Sequence, residues 1–242
     1  MADEVKTTKK VLRIALFLVF TISLIYASLF LRSSGNASND LKQFNISCVG
    51  DSITELSGYP TELQAMLGKD YSVGNFGVSG STVSINSKKP YVEQSAFQEA
   101  KDFQPSAVVI MLGTNDAHTY QSTSDFGTDY MNLINEYQSL ASQPEILLVK
   151  PPPIYANELD LSGTNLQEDI IPVIDQIADE LNLPVVDVNL ALGDHPEYFI
   201  DDGVHPNPEG AFAIANEIWE AFVFDLELTD VPVGDLITSF TY

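Results

Sequence analysis

The sequence predicts an α/β fold in which parallel strands alternate with helices. Five short runs rich in aliphatic and β-branched residues recur along the chain, and each is followed by a segment whose apolar residues have helical spacing. Parallel neighbouring strands need a long crossover connection, usually a helix, so this alternation is typical of a parallel sheet. We therefore predict a doubly wound sheet of five parallel strands in flavodoxin-like order.

The third of these runs indicates its strand most clearly. SAVVIML at 106–112 is almost continuously apolar, which predicts a strand buried on both faces. The other four strands are predicted from the shorter runs QFNISCV (43–49), YSVGNF (71–76), EILLVK (145–150) and PVVDV (184–188). Cys48 lies within the first run, so we expect its thiol in the core.

Helices are predicted in the segments between the strands and after the last one. Their expected positions are about 60–67, 91–103, 125–140, 166–181 and 208–223. Three successive prolines, Pro151 to Pro153, follow the fourth strand and predict a loop there, because proline fixes φ and donates no backbone hydrogen bond.

Composition excludes several classes of protein. The 242 residues suffice for one domain, or one domain with an appendage, and a hydrophobic content of 45% excludes disorder for most of the chain. The 34 acidic residues outnumber the 11 Lys and Arg residues, so the net charge is −23 and nucleic acid is excluded as a partner. Cys48 is the only cysteine, which excludes an internal disulfide and a cysteine-based zinc site. We expect neither a metal nor a cofactor.

The amino-terminal segment is predicted to cross a membrane. Residues 14–31 form an uncharged apolar run of eighteen residues, nearly long enough as a helix to span a hydrocarbon core of about 30 Å. Four cationic residues precede this run and only Arg32 follows it, so the positive-inside rule places the amino terminus in the cytoplasm. Cleavage as a secretory signal peptide is the alternative, with a weak cleavage site at Gly35–Ala37.

These observations divide the chain into four parts. Residues 1–32 are the predicted membrane anchor, 33–41 a short polar tether, and 42–223 the α/β domain, whereas 224–242 form an acidic tail to which we assign no role. The expected location is membrane-anchored with the domain outside the cytoplasm, or secreted if the anchor is cleaved. The sequence predicts no particular oligomeric state.

Four loops beyond the carboxyl ends of the predicted strands carry the residues that suggest chemistry. In a doubly wound sheet, ligands bind at this edge. The segments are GDSIT (50–54) after the first strand, NFGVSG (75–80) after the second, GTND (113–116) after the third and DGVHP (202–206) beyond the fifth. Together they bring a serine, a histidine, several carboxylates and an asparagine to one edge of the sheet.

The residue types in these loops suit nucleophilic catalysis. A serine hydroxyl needs a base to remove its proton, and we expect His205 to be the base for Ser52. The imidazole in turn needs an acceptor on its other nitrogen, which Asp202 supplies from three residues away. The backbone amides of Ser52 and Gly80 and the side-chain amide of Asn115 are expected to stabilise the oxyanion.

The four segments resemble the four conserved blocks of the SGNH hydrolases, also called the GDSL esterase/lipase family. The resemblance covers about residues 44–223 and includes the order of the blocks and the strand that precedes each. It implies roles for five residues: the nucleophile Ser52, the base His205, the orienting Asp202, and the oxyanion donors Gly80 and Asn115. Ile53 departs from the family pattern, which has Leu after the serine.

Intervening segments are similar to bacterial carbohydrate acetylesterases of this family, namely GYPTELQAMLG, KKPYVEQSAFQEA, VKPPPIY and DHPEYF. The similarity implies a serine esterase that removes short acyl groups, above all acetyl, from a carbohydrate. The alternatives are a lysophospholipase or acyl-thioesterase, an acyltransferase acting on a cell-surface glycan, and a carbohydrate-binding module without activity.

The remaining polar residues near the blocks are interpreted from their surroundings. Substrate contacts are predicted for Asp51, Thr114 and Pro153. Asp116 is interpreted as structural, and Asp201 competes with Asp202 for the imidazole, although the spacing implied by the family resemblance favours Asp202. His118 and His195 are predicted to be solvated loop residues, with a pocket-lining position for His118 as the alternative.

Overall fold

A computed structural model describes residues 43–118 and 125–225 of the chain, and these contain a single five-stranded parallel sheet. Its strands are β1 (Phe44–Gly50), β2 (Tyr71–Gly77), β3 (Ala107–Met111), β4 (Glu145–Val149) and β5 (Val185–Val186). They lie in the order β2-β1-β3-β4-β5 and every neighbouring pair is parallel. The predicted flavodoxin-like order is therefore confirmed.

Strand β3 is buried on both faces, as its apolar run predicts. Successive side chains of a strand point to opposite faces, so Val109 packs into one apolar cluster and Val108 and Ile110 pack into the other. All five residues of β3 are buried. Cys48 of β1 is also fully buried, as expected, and burial raises the pKa of its thiol to about 12.

Helices cover both faces of the sheet. In the described ranges the α-helices of four or more residues are α1 (Ser52–Leu56), α2 (Tyr59–Leu67), α3 (Ser95–Asp102), α4 (Phe126–Gln138), α5 (Ile171–Leu181), α6 (Val188–Ala191) and α7 (Pro208–Glu220), and a three-residue α-helical turn spans Gly163–Asn165. Helices α2 and α7 share one apolar cluster, for example through Leu63 and Ile218. Helices α3, α4 and α5 share the other, through residues such as Ala100, Tyr130 and Ile174.

Three predicted helices differ in detail from those observed. The segment predicted at 91–103 is a 3₁₀ turn (Tyr91–Glu93) followed by α3, because Gln94 between them is extended, with ψ at 150°. The segment predicted at 166–181 begins with a π-helical turn (Leu166–Ile170) just before Pro172, which has no N–H to continue an α-helical ladder. Similarly, α7 ends in a π-helical turn (Ala221–Asp225).

The predicted membrane helix at 14–31, the tether at 33–41 and the acidic tail from residue 226 onward lie outside the described residues. Among the helices between residues 43 and 225 that the structure describes, none is long and apolar enough to cross a membrane. The anchor, the tether and the domain boundaries therefore stay predictions.

Candidate active site

The short helix α1 places Ser52 at the carboxyl edge of the sheet. Asp51 caps this helix, because its carboxylate accepts a hydrogen bond of 2.9 Å from the Ile53 amide. Gly77, at the end of β2, allows α1 to lie directly against that strand. A Cβ atom at Gly77 would lie 2.3 Å from the backbone nitrogen of Glu55, so a larger residue would displace the helix.

Ser52, His205 and Asp202 form a continuous hydrogen-bonded chain. The Oδ2 atom of Asp202 lies 2.6 Å from Nδ1 of His205, and the Nε2 atom of His205 lies 2.8 Å from Oγ of Ser52. An ionised carboxylate only accepts hydrogen bonds, so Nδ1 carries the proton and Nε2 accepts from the serine hydroxyl. Of the two competing aspartates, it is Asp202 and not the exposed Asp201 that contacts the imidazole.

The environment of Asp202 favours its ionised form. Partial burial raises the pKa of this carboxyl, but backbone amides and the imidazole outweigh it and lower the pKa below its usual value. The amides of His205 and Val204 each donate to Oδ1 at 2.9 Å. This tight turn leaves Oδ2 directed at Nδ1, which fixes the orientation of the imidazole.

Two backbone amides expected to bind the oxyanion border the same cavity. Val78–Ser81 form a β-turn in which the Ser81 amide donates to the Val78 carbonyl at 3.0 Å. Gly80 occupies the third position with φ of 74°, as a type II turn requires. Neither the Ser52 nor the Gly80 amide donates a hydrogen bond to any residue within 43–118 or 125–225. Both amides are thus available to a ligand at the cavity.

The side chain of Asn115 reaches the same place but is already hydrogen-bonded. Its Nδ2 atom donates to the Ser81 carbonyl at 3.0 Å and to Oδ2 of Asp51 at 3.3 Å. Asn115 begins a 3₁₀ turn (Asn115–Ala117) in the loop that follows β3. Donation to an oxyanion would replace the longer of the two bonds, the one to Asp51.

The three predicted substrate contacts are not supported by their positions. Asp51 and Thr114 are only 1% and 2% exposed and do not line the cavity. Pro153 is partly exposed but does not line it either. Burial raises the pKa of Asp51 to about 7, and its hydrogen bonds from Ile53 and Asn115 give it a supporting position behind the cavity.

Asp116 has the structural position expected of it. Its carboxylate accepts hydrogen bonds of 2.9 Å from the amides of Val83 and Ser84 and one of 2.7 Å from the Ser84 hydroxyl. Burial raises its pKa, although these hydrogen bonds oppose the change. Asp116 therefore anchors the loop after β2 to the loop after β3.

A cavity of about 650 Å³ opens above Ser52 and His205. Its polar lining includes Gly80, Asn115 and His118. His118, predicted to be a solvated loop residue with a pocket-lining position as the alternative, is partly buried and lines the cavity. His195, in contrast, lies at the surface as predicted, where its Nδ1 atom is 2.8 Å from Glu197.

Several cavity residues were not found by sequence reasoning. They include two lysines, Lys88 and Lys89, three hydroxyl residues, Ser79, Thr82 and Ser87, and the apolar residues Leu56, Leu159, Leu161 and Val204. Lys88 and Lys89 are the only adjacent lysines after residue 32. Two neighbouring cations are unusual in a chain so rich in acidic residues, and this could have marked them as candidate site residues. The leucines carry no comparable signal, because they lie in aperiodic loops or at a helix end. No group of His, Cys, Asp and Glu side chains suited to a metal occurs in the part of the chain that the structure describes.

The chain is similar to a known protein family and to a curated protein. The family model described as the GDSL-like lipase/acylhydrolase family matches residues 48–211. An acetylxylan esterase from Xylanibacter ruminicola is 31% identical over 200 residues, which cover 72% of this chain and 42% of that protein. The chain therefore spans about two-fifths of the length of this relative.

Solved structures share the fold. A carbohydrate acetylesterase from Sinorhizobium meliloti matches with a TM-score of 0.60 at 18% identity, covering 74% of this chain and 98% of that one. An aryl esterase from M. smegmatis matches with a TM-score of 0.59 at 20% identity and the same coverage of both chains. A variant of an acetyl-xylooligosaccharide esterase from Geobacillus Stearmophilus is 25% identical, with a TM-score of 0.60 and coverage of 75% and 94%.

Proposed function

The chain belongs to the GDSL-like lipase/acylhydrolase family of carboxylic ester hydrolases, and on that basis we propose that it cleaves acetyl esters of carbohydrates through Ser52. The observation that carries the proposal is the 2.8 Å contact between Oγ of Ser52 and Nε2 of His205, continued by the 2.6 Å contact to Asp202. A serine activated by an oriented imidazole is the arrangement that acyl transfer requires.

The proposed reaction has two steps. Ser52 Oγ attacks the ester carbonyl while Nε2 of His205 takes its proton. The tetrahedral intermediate then breaks its bond to the sugar oxygen, which takes that proton from the imidazolium and leaves as the sugar hydroxyl. Water then attacks the acetyl-serine with the same imidazole as base, releasing acetate and restoring Ser52. The charge of Asp202 stabilises the imidazolium in both steps.

The developing oxyanion is expected to bind the backbone amides of Ser52 and Gly80, which border the cavity. Fixed donors of this kind stabilise charge that appears only in the transition state. Asn115 is proposed as the third donor once its amide leaves Asp51. Formation of the oxyanion would then remove one hydrogen bond from the buried carboxylate of Asp51.

An acetylated carbohydrate is proposed as substrate because of the relatives and the cavity. Curated and solved relatives include an acetylxylan esterase and a carbohydrate acetylesterase. Hydroxyl groups such as that of Ser87 and the ammonium groups of Lys88 and Lys89 line the cavity, and these groups can form hydrogen bonds to a sugar. Leu56 and Leu159, 66% and 46% exposed at its rim, favour a second candidate, an ester with a longer acyl or an aryl group.

Acetate release from acetylated xylo-oligosaccharides, compared with hydrolysis of p-nitrophenyl octanoate, tests the proposal. We expect the purified protein to release acetate and Ser52→Ala to release none. Efficient hydrolysis of the octanoate with no acetate release would favour a lysophospholipase or thioesterase. Transfer of acetyl to an added glycan in preference to water would favour an acyltransferase.

We also propose that residues 14–31 anchor the enzyme in a membrane with the domain outside the cytoplasm. The proposal rests on the sequence alone. Full-length protein should sediment with membranes and need detergent for release, whereas salt or alkali should not release it. A soluble protein that begins near Gly35–Ala37 would instead indicate signal cleavage and secretion.

A further inference from the structure

Glu55 and Lys89 hold Ser79 from opposite sides. Glu55, near the end of α1, accepts hydrogen bonds at Oε2 from the Ser79 amide, at 2.7 Å, and from the Ser79 hydroxyl. Lys89 donates from Nζ to the Ser79 carbonyl at 2.8 Å. The two side chains come from segments 34 residues apart and meet at the residue just before Gly80.

The Ser79 carbonyl belongs to the same peptide group as the Gly80 amide. In a planar trans peptide the C=O and N–H bonds point in opposite directions, so a contact that fixes one also fixes the other. This peptide is the central one of the Val78–Ser81 turn. Type I and type II turns differ mainly by a reversal of the central peptide, and glycine at the third position can adopt either form.

We propose that Lys89 and Glu55 are positioning residues that hold the Ser79–Gly80 peptide with its N–H directed at the oxyanion. The inference rests on the proposed esterase function. Lys89 keeps the carbonyl turned away from the reacting ester, and Glu55 keeps Ser79 in place beside α1, the helix that carries Ser52. The ammonium group also polarises the peptide, which strengthens the N–H as a donor.

The positive charge of Lys89 favours the ionised form of Glu55. The hydrogen bonds from Ser79, and the nearby charge of Lys89, lower the pKa of Glu55, so its carboxylate is ionised at neutral pH. Both side chains are exposed, and exposed charged contacts are individually weak. The expected effect is therefore smaller than the factor of about 10²–10³ for complete removal of an oxyanion donor.

The test uses the purified full-length protein, with p-nitrophenyl acetate as substrate and phenylboronic acid as an inhibitor that forms a tetrahedral adduct with a serine nucleophile. Lys89→Met should lower kcat by about tenfold with little change in KM, because the donor matters only once the oxyanion forms. It should weaken inhibition by about the same factor. Lys89→Arg should restore most of both losses, because a guanidinium still donates to the Ser79 carbonyl.

Glu55→Gln keeps the shape of the side chain and should lower kcat by a smaller factor than Lys89→Met. Lys69→Met is the matched control, because Lys69 is exposed in the turn between α2 and β2 and does not line the cavity. Its kcat, KM and inhibition should equal those of the unaltered protein. Thermal unfolding shows whether each variant is folded. If Lys89→Met does not fold, the kinetics of Glu55→Gln and Lys89→Arg test the proposal.

An increase in KM alone for Lys89→Met would make Lys89 a substrate-binding residue and overturn the proposal. A Lys89→Arg variant as impaired as Lys89→Met would overturn it as well, and so would a Glu55→Gln variant with unaltered kcat. These results differ from failure of the esterase function itself. In that case the unaltered protein and Ser52→Ala would hydrolyse p-nitrophenyl acetate equally slowly.

Discussion

The carboxylate of Asp51 lies 3.3 Å from the side-chain amide nitrogen of Asn115, 64 residues further along the chain. The same carboxylate caps the helix that begins with Ser52. One buried group thus connects the segment that carries the expected nucleophile to the segment that carries an expected oxyanion donor. Its burial has a consequence for stability, because burial raises the pKa of Asp51 from 3.8 to about 7.

The first prediction concerns Asp51→Asn and the pH dependence of stability. A carboxyl with a raised pKa in the folded state stabilises the protein fully below its unfolded pKa, and this contribution is lost as pH rises through about 7. Asparagine does not titrate. The free energy of unfolding of the variant relative to the unaltered protein should therefore increase from pH 5 to pH 8, by up to about 1.4 kcal/mol per pH unit. Urea unfolding of both proteins at pH 5 and pH 8 measures this difference in free energy. A difference that is the same at both pH values would contradict the prediction.

Ser52→Ala should abolish esterase activity without loss of the fold. Removal of the nucleophile from such a triad costs on the order of 10⁶ in kcat, while one hydroxyl at a cavity contributes little packing. Ser95→Ala is a matched control. Ser95 is the first residue of α3, as Ser52 is of α1, but Ser95 is exposed. Hydrolysis of p-nitrophenyl acetate and thermal unfolding measure both effects. Substantial activity in a Ser52→Ala preparation would refute the assignment of Ser52 as the nucleophile.

Asp202→Asn should lower kcat by about 10⁴, because the amide favours the wrong imidazole tautomer and carries no charge to stabilise the imidazolium. The adjacent Asp201→Asn serves as the control, since Asp201 is exposed and does not contact the imidazole. Steady-state kinetics of the two variants distinguish the aspartates. Equal losses in both would mean that the imidazole is oriented in another way.

The rate should be highest for acetyl esters and fall by octanoate. A longer chain gains about 0.8 kcal/mol per methylene only if that methylene is removed from water. Leu56 and Leu159 could contact a longer acyl chain, but they are 66% and 46% exposed, so the chain would stay partly in contact with solvent and gain only part of this free energy. Values of kcat/KM for p-nitrophenyl esters from acetate to octanoate provide the measurement. A steady increase with chain length would favour the lipase-like alternative.

The sequence alone determined the strands, their parallel order and the edge at which the expected catalytic residues meet. Hydrophobic periodicity is local, and each run such as SAVVIML reports its own burial. The right-handed crossover between parallel strands then leaves few possible orders. Because every carboxyl end falls at one edge, Ser52 and His205 were predicted to meet there although 153 residues separate them.

The tertiary structure alone decided which neighbours those residues acquire. The sequence already favoured Asp202 over Asp201, but the turn in which Oδ1 of Asp202 accepts from two backbone amides is visible only in the structure. Neither the Lys89 contact to Ser79 nor the position of His118 follows from any periodic pattern, because both lie in loops. Asp51 and Thr114, for which substrate contacts were predicted, are buried beside the cavity, and the sequence does not distinguish burial beside a site from exposure within it. Side-chain and peptide orientations in loops are set by contacts between distant segments, and these form only in the folded chain.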